Sequence, residues 1–354
     1  MSSRRCIATL AVLAALAALA GAAGSAAAAQ PAPSPPEVIR SGDTLTLVSN
    51  RRGEVTIPLR SPSEADIWMS PSNRGTDPAS GANPGRGRVA SVDPGATVPR
   101  QGPTPRIVIG EDDRRLLTAT TVHPNRAIAH LAMDLSPGGN FGSYLCSGFL
   151  IDRNTLLTSG HCIHEGGTGS TADFATNMTV TLGRGRGGDP NSAPYGTCRA
   201  GELLTTPGWI DSAGEGQDYG IVQLANCTVP NVGRRTGWFG YVAVQGRGTL
   251  AFTPANVRGY PGLPPRGLNG TLWTHNGQVL HSSWAMAFYR TDTTGGESGS
   301  PVYQPGRPWC GACALAIHGY GAGHGAFPHT TLNHGPRITV ARFQAIREMA
   351  GRNG

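Results

Sequence analysis

From residue 107 onward the apolar residues arrive in short runs, each soon closed by Gly, Pro, Asn or Asp. The runs cover residues 127–133, 148–157, 178–182, 220–224, 278–289, 312–317 and 337–340. Alternating or continuous apolar runs of this length, separated by turn residues, predict the strands of an all-β sandwich or barrel. Composition points the same way. With 51 Gly, 28 Pro and only 6% aromatic residues, the chain favours turns and short strands over long helices. Helical period appears only over residues 341–350, where Ala341, Phe343, Ile346 and Met349 share one face. No internal repeat occurs at solenoid spacing.

The first hundred residues read differently. Arg4 and Arg5 precede an apolar stretch over residues 7–20, and Ala27-Ala28-Ala29 precedes Gln30. This is the pattern of an export signal over residues 1–29, cleaved in transit. Its apolar stretch falls short of the roughly 20 residues that span a membrane, so no anchor is expected after its removal, and the mature protein is expected outside the cell as a monomer. Residues 30–106 are rich in Pro, Gly, Ser and Arg. A hairpin is expected over residues 45–59, turning at Arg51-Arg52-Gly53, and the remainder reads as irregular. The segment is either removed before the following domain, residues 107–354, begins to work, or serves as a plain linker.

Cys6 leaves with the signal. Cys146, Cys162, Cys198, Cys227, Cys310 and Cys313 remain. Six cysteines in an exported chain predict three disulfides, with about 15 pairings open on counting alone. The net charge of +7 comes from Arg alone, since the chain contains no Lys. It is spread along the chain, without a run of like charge or a basic helix interleaved with aromatics. Nucleic acid is therefore excluded as a partner.

Three local patterns carry chemistry, in the order His, Asp, Ser. They are Leu157-Thr158-Ser159-Gly160-His161-Cys162, Asp218-Tyr219-Gly220-Ile221-Val222, and Thr293-Thr294-Gly295-Gly296-Glu297-Ser298-Gly299-Ser300-Pro301. A serine hydroxyl is a poor nucleophile near neutral pH and needs a base to take its proton. A neutral imidazole, His161, suits that role. An acid, Asp218, would hold the other ring nitrogen and stabilise the imidazolium that forms. The glycines around Ser298 permit a tight turn in which the N–H groups of Gly296 and Ser298 converge on a developing oxyanion.

On these residues the chain from about Ile107 to the C-terminus resembles the chymotrypsin-fold serine peptidases. The resemblance implies two packed six-stranded antiparallel β-barrels, with a short C-terminal helix, and polypeptide substrates bound in the cleft between the barrels. His161 and Asp218 would come from the first barrel and Ser298 from the second. It also implies a Cys146–Cys162 disulfide around the histidine loop. Within that fold three stretches resemble the bacterial glutamyl endopeptidases. These are Val108-Ile109-Gly110-Glu111-Asp112-Asp113-Arg114, Thr293-Thr294-Gly295-Gly296, and Ala316-Ile317-His318-Gly319. The implied specificity is for Glu, with Asp as a second substrate residue. Thr293, His318 and Gly319 would face the acidic side chain, together with the new amino group of Ile107 or Val108 freed by an activating protease near Arg106. In trypsin-type relatives the new N-terminus pairs instead with an acid beside the nucleophile, a place taken here by Glu297, and both readings stay open. Some members of the family have a short bridge matching Cys310–Cys313, which leaves Cys198–Cys227. The other readings are the same fold with a non-acidic preference, and a binding protein without catalysis.

No cofactor or metal is expected. His324, His329 and His334 fall in a Gly-rich stretch with no acidic or Cys partner nearby in the sequence, and therefore read as structural.

Overall fold

The computed structural model describes residues 40, 42–61, 68–76, 108–244, 246, 248–262, 270–323 and 325–351. The expected export signal, Arg106, Ile107 and His324 lie outside the described residues.

The first sheet contains β1 (Thr44–Ser49), β2 (Gly53–Pro58), β5 (Ile128–Leu135), β6 (Gly142–Leu150), β7 (Thr155–Thr158), β8 (Thr176–Leu182), β9 (Cys198–Thr205) and β10 (Gly220–Ala225). Its order is β10-β7-β6-β5-β8-β9-β1-β2, and β10 also pairs with β9, so β5 to β10 close into a six-stranded antiparallel barrel. The expected hairpin over residues 45–59 is present as β1 and β2, with Ser49 opposite Gly53 at the turn. It extends the barrel at β9, where Val48 lies opposite Thr205.

The second sheet contains β3 (Met69–Ser70), β4 (Arg115–Leu117), β11 (Gly240–Val242), β12 (Pro254–Gly259), β13 (Leu272–Ser282), β14 (Met286–Arg290), β15 (Pro301–Arg307), β16 (Gly311–Ile317) and β17 (Asn333–Pro336). The order β17-β14-β13-β12-β15-β16 is carried on by β11 and β3. An Ala316–Arg337 bridge and the Ile338 N–H to Leu315 C=O hydrogen bond, 2.8 Å, link the two ends of the β12–β17 set.

The expected strand over residues 337–340 does not form. Arg337 makes one bridge, and the helix α3 (Val340–Gly351), which follows the short helices α1 (Pro207–Ser212) and α2 (Val232–Thr236), begins where the strand would end. The reason is visible in the packing. Ala341, Phe343, Ile346 and Met349, the face expected for a helix over residues 341–350, are all buried in the main hydrophobic core, and Val340, the end of the run that scans as a strand, opens that helix. A second core lies between the strands of the other sheet, around Val257, Val279, Tyr289, Val302 and Ala316.

All three expected disulfides are present: Cys146–Cys162, Cys198–Cys227 and Cys310–Cys313. Among the described residues no helix is long and apolar enough to cross a membrane.

Candidate active site

His161 sits in the single turn Gly160–Cys162 that follows β7, and Asp218 stands just before β10. Because β7 and β10 pair side by side, with Gly220 opposite Thr158, the two residues meet at the same end of the barrel. The His161 Nδ1 lies 2.7 Å from Asp218 Oδ2, and the His161 backbone N–H donates to Oδ1 at 2.7 Å. Both carboxylate oxygens are thus held by one residue. Gly160 is required there, since a Cβ would lie 2.9 Å from Asp218 Oδ1.

The Ser298 loop is held against this turn by Ser147 of β6. The Ser147 N–H donates to the Ser298 carbonyl at 2.7 Å, and its hydroxyl donates to the Gly296 carbonyl at 2.9 Å. The Tyr260 N–H donates in turn to Ser147 Oγ at 2.8 Å. Cys162 Sγ, next in sequence to His161, lies 3.8 Å from the Ser298 carbonyl oxygen. Two glycines let the loop come this close. Gly299 has φ +86°, and a Cβ on it would fall 2.0 Å from the Ser147 carbonyl oxygen; Gly296 has φ +96°. Among the described residues neither the Gly296 N–H nor the Ser298 N–H has an intramolecular acceptor.

His318 follows β16 and bridges these parts through its backbone. Its carbonyl accepts the Gly299 N–H at 2.7 Å and the Ser159 hydroxyl at 2.8 Å. Its buried ring lies with Nδ1 2.7 Å from the Tyr289 hydroxyl. Burial, and after it the charges of His334 and His161, push the His318 pKa down to about 3, so the ring is neutral. Burial raises the Tyr289 phenol well above its ordinary value. A phenol that keeps its proton can donate to Nδ1, the arrangement in which the His318 hydrogen sits on Nε2. The buried Thr293 accepts the Asn333 side-chain N–H at 3.0 Å, so its own hydroxyl hydrogen is directed elsewhere. A Cβ on Gly319 would lie 3.4 Å from Asp218 Oδ2, which brings the end of the β16 segment up to the His161–Asp218 pair.

Residues 122–240 match the Trypsin family. The chain is 35% identical over 242 residues to the glutamyl endopeptidase of Bacillus licheniformis, covering 68% of this chain and 67% of that protein. It is 31% identical over 247 residues to the extracellular metalloprotease of Bacillus subtilis, with 70% of each chain covered. A solved structure of Glu endopeptidase in complex with MPD superposes with a TM-score of 0.54 at 26% identity, over 69% of this chain and 100% of that one. The chain belongs to the trypsin family of serine endopeptidases.

In this peptidase Glu297, beside Ser298, is engaged by an internal cation. Arg114 Nη1 lies 2.6 Å from Glu297 Oε2 and donates to Thr294 Oγ1 at 2.7 Å. The other edge of the guanidinium grips Asp112, through Nε at 3.1 Å and Nη2 at 3.0 Å. Arg114 and Glu297 are both fully buried. Burial alone would lower the Arg114 pKa; Glu297 and Asp112 outweigh it and raise it. The segment leading to Arg114 is anchored a second time, because the Ile109 and Asp113 N–H groups donate to Asp292 at 2.8 and 3.2 Å. Val108 thereby stands one residue before a stretch docked on Asp292, the residue that precedes Thr293.

Sequence reasoning missed Ser147, Tyr289 and Asp292, and saw Arg114 only as the end of a motif. Ser147, Tyr289 and Asp292 are single residues in ordinary strand or loop context, and nothing local marks their partners. For Arg114 a signal existed: the segment that carries it resembles a mature N-terminus, and Glu297 is an acid in an otherwise small-residue loop.

Proposed function

We propose that this endopeptidase is exported, is cut near Arg106 by a processing protease that severs the covalent link to residues 30–106, and cleaves polypeptides after Glu through an acyl-enzyme on Ser298. In this mechanism Ser298 Oγ attacks the substrate carbonyl while His161 Nε2 takes its proton. Asp218 holds Nδ1–H and stabilises the imidazolium. The oxyanion accepts the N–H groups of Gly296 and Ser298, each worth about 2.7–4 kcal/mol of barrier when lost in comparable sites. His161 then passes its proton to the departing amine. Water then attacks the acyl carbon while giving a proton to the same nitrogen, and His161 returns that proton to Ser298 Oγ as the ester bond breaks and the acid leaves.

The observation that carries the choice of Glu is the neutral, buried His318 ring, whose Nδ1 faces the Tyr289 hydroxyl at 2.7 Å, so that its Nε2 can present a hydrogen to the pocket. A substrate carboxylate entering a confined pocket needs donors, or suffers a large desolvation cost. His318 Nε2–H and the Thr293 hydroxyl supply them, with the amino group of the processed N-terminus, Ile107 or Val108, as a further donor. The Arg114–Glu297 pair favours this use of the N-terminus, because Glu297 already has its cation. A glutamyl endopeptidase among the relatives at 35% identity supports the same reading.

The test is a panel of chromogenic peptides ending in Glu, Asp, Phe and Arg, hydrolysed by the processed protein. Glu is expected to lead, with Asp second. His318→Ala is expected to erase that order, and Ser298→Ala to abolish turnover and phosphonate labelling. Equal or faster cleavage after Phe or Arg refutes the acidic pocket.

A further inference from the structure

Beside the turn that carries Asp218, three side chains from separate parts of the chain bring their ligand atoms together. Glu215 opens the short turn Glu215–Gln217 that leads into Asp218, whose N–H donates to the Glu215 carbonyl at 3.2 Å. His334 belongs to β17, and His329 to the loop before it. His329 Nδ1 lies 3.2 Å from His334 Nε2, and each lies 3.3 Å from Glu215 Oε2. Donor atoms bound to one tetrahedral zinc ion at about 2.0–2.1 Å stand about 3.3 Å apart. The acid that the local sequence withholds from these histidines is supplied by the first barrel.

The orientation of the His334 ring also suits a cation. His334 Nδ1 lies 3.1 Å from the Leu332 carbonyl oxygen. With a hydrogen on Nδ1 donated to that carbonyl, the ring turns Nε2 toward the other two atoms. A carboxylate oxygen is an acceptor only. A metal ion at the centre satisfies all three at once.

The surroundings suit a metal centre. The Leu332 carbonyl is the kind of outer partner that fixes a ligating imidazole in the right tautomer. The Phe288 ring packs on both imidazoles, at 4.8 Å from His329 and 5.3 Å from His334. Tyr320 stacks on His334 at 5.4 Å, with 17° between the planes. Glu215 and His329 retain 29% and 21% of their side-chain exposure, which leaves an entry path and room for water.

We infer that Glu215, His329 and His334 bind one zinc-type divalent transition-metal ion in tetrahedral geometry, with water in the fourth position. The ion ties the turn before Asp218 to β17. That strand accepts the Gly319 N–H on the His334 carbonyl at 3.1 Å and exchanges two hydrogen bonds of 2.9 Å with Tyr320. Metal binding therefore braces the His161–Asp218 end of the barrel against the His318–Tyr320 segment, and the metal takes no part in the hydrolysis itself.

The experiment uses the full processed protein carrying Ser298→Ala, to prevent autolysis, after treatment with a chelator. Zinc chloride is titrated by calorimetry, and cobalt(II) by visible absorption. One equivalent of each is expected to bind, cobalt with the intense bands of a tetrahedral site, and zinc is expected to raise the melting temperature. His329→Ala is expected to abolish binding, and Glu215→Gln to weaken it at least about tenfold. Both residues are partly exposed, so these variants are expected to fold, which circular dichroism checks; His334→Ala alone would not decide the matter. Failure of the folded parent to bind, weak octahedral-type cobalt absorption, or binding that survives both substitutions, as at His161, overturns the proposal.

Discussion

Arg114→Met is the substitution that tests how the Ser298 loop is held. It removes the guanidinium while keeping most of the apolar stem. Glu297 then keeps only the Thr294 N–H, at 2.7 Å, and a long Thr294 hydroxyl contact of 3.4 Å, and its carboxylate stays fully buried. Asp112 loses both of its guanidinium contacts. Breaking one side of a buried ion pair typically costs about 3–5 kcal/mol, most of it the penalty of the stranded charge. The pair itself contributes much less than that. A double variant, Arg114→Met with Glu297→Gln, should therefore recover part of the loss, with a coupling energy of about 0.5–3 kcal/mol. Urea unfolding in a Ser298→Ala background measures all four corners of the cycle. In the active background the single variant should lower kcat with little change in KM, because Glu297 lies between Gly296 and Ser298, whose N–H groups are the proposed oxyanion donors. An Arg114→Met protein within about 1 kcal/mol of the parent, with unchanged kcat, would refute the reasoning.

Ser147→Ala strands the Gly296 carbonyl and the Tyr260 N–H; a loss of about 1–3 kcal/mol is expected by urea unfolding, with kcat falling and KM steady. Gly160→Ala places a Cβ 2.9 Å from Asp218 Oδ1 and 3.1 Å from Trp209 Cδ1. It should fold and yet lose at least about tenfold in kcat/KM, since a misplacement near 1 Å can cost about 100-fold. Wild-type turnover would show that the His161–Asp218 contact tolerates displacement. Tyr289→Phe removes the phenol that faces His318 Nδ1; discrimination between Glu and Phe peptides should shrink about tenfold, as expected for one buried hydrogen bond of 1–3 kcal/mol, and unchanged selectivity would remove Tyr289 from the pocket.

The fold class was legible because strand runs and turn residues are local signals, and the 45–59 hairpin was legible for the same reason. Residues 337–340 misled because a short apolar run has no period long enough to separate strand from helix, and what decides the matter is that Val340 opens a helix whose Phe343 and Ile346 are buried in the main core. Partnerships between distant residues left little trace. The Arg114–Glu297 pair joins a docked segment to a loop far along the chain. Tyr289 reaches His318 only because β14 and β16 belong to one sheet. Glu215 meets His329 and His334 only because the turn before β10 lies against β17. The glycines flanking Ser298 announced a tight turn, but the residue that holds that turn, Ser147, looks like any strand serine.

The segment before Arg106 is built into both sheets, and this bears on what processing does. Leu47, Val48, Val55, Ile57 and Leu59 are buried in the main hydrophobic core, together with residues of the first barrel. Trp68 packs edge-on against Phe343 of α3 at 5.8 Å. Arg60 and Gln344 exchange two hydrogen bonds, of 2.7 and 2.9 Å, and β3 pairs with β11. Each such side chain stabilises by about 1.5–3 kcal/mol when fully buried, an upper figure because the unfolded chain buries some of this area too. Together they amount to about 10 kcal/mol, as much as the net stability of a typical domain. A plain linker would carry none of this. A cut after Arg106 should therefore leave the fragment bound without a covalent link, holding α3 and the β9 edge. The two pieces should co-elute on gel filtration in stoichiometric amounts and separate only in denaturant. Loss of the fragment on cleavage, with an unchanged melting temperature for the remaining domain, would show that these contacts contribute little and that the segment acts only as a tether.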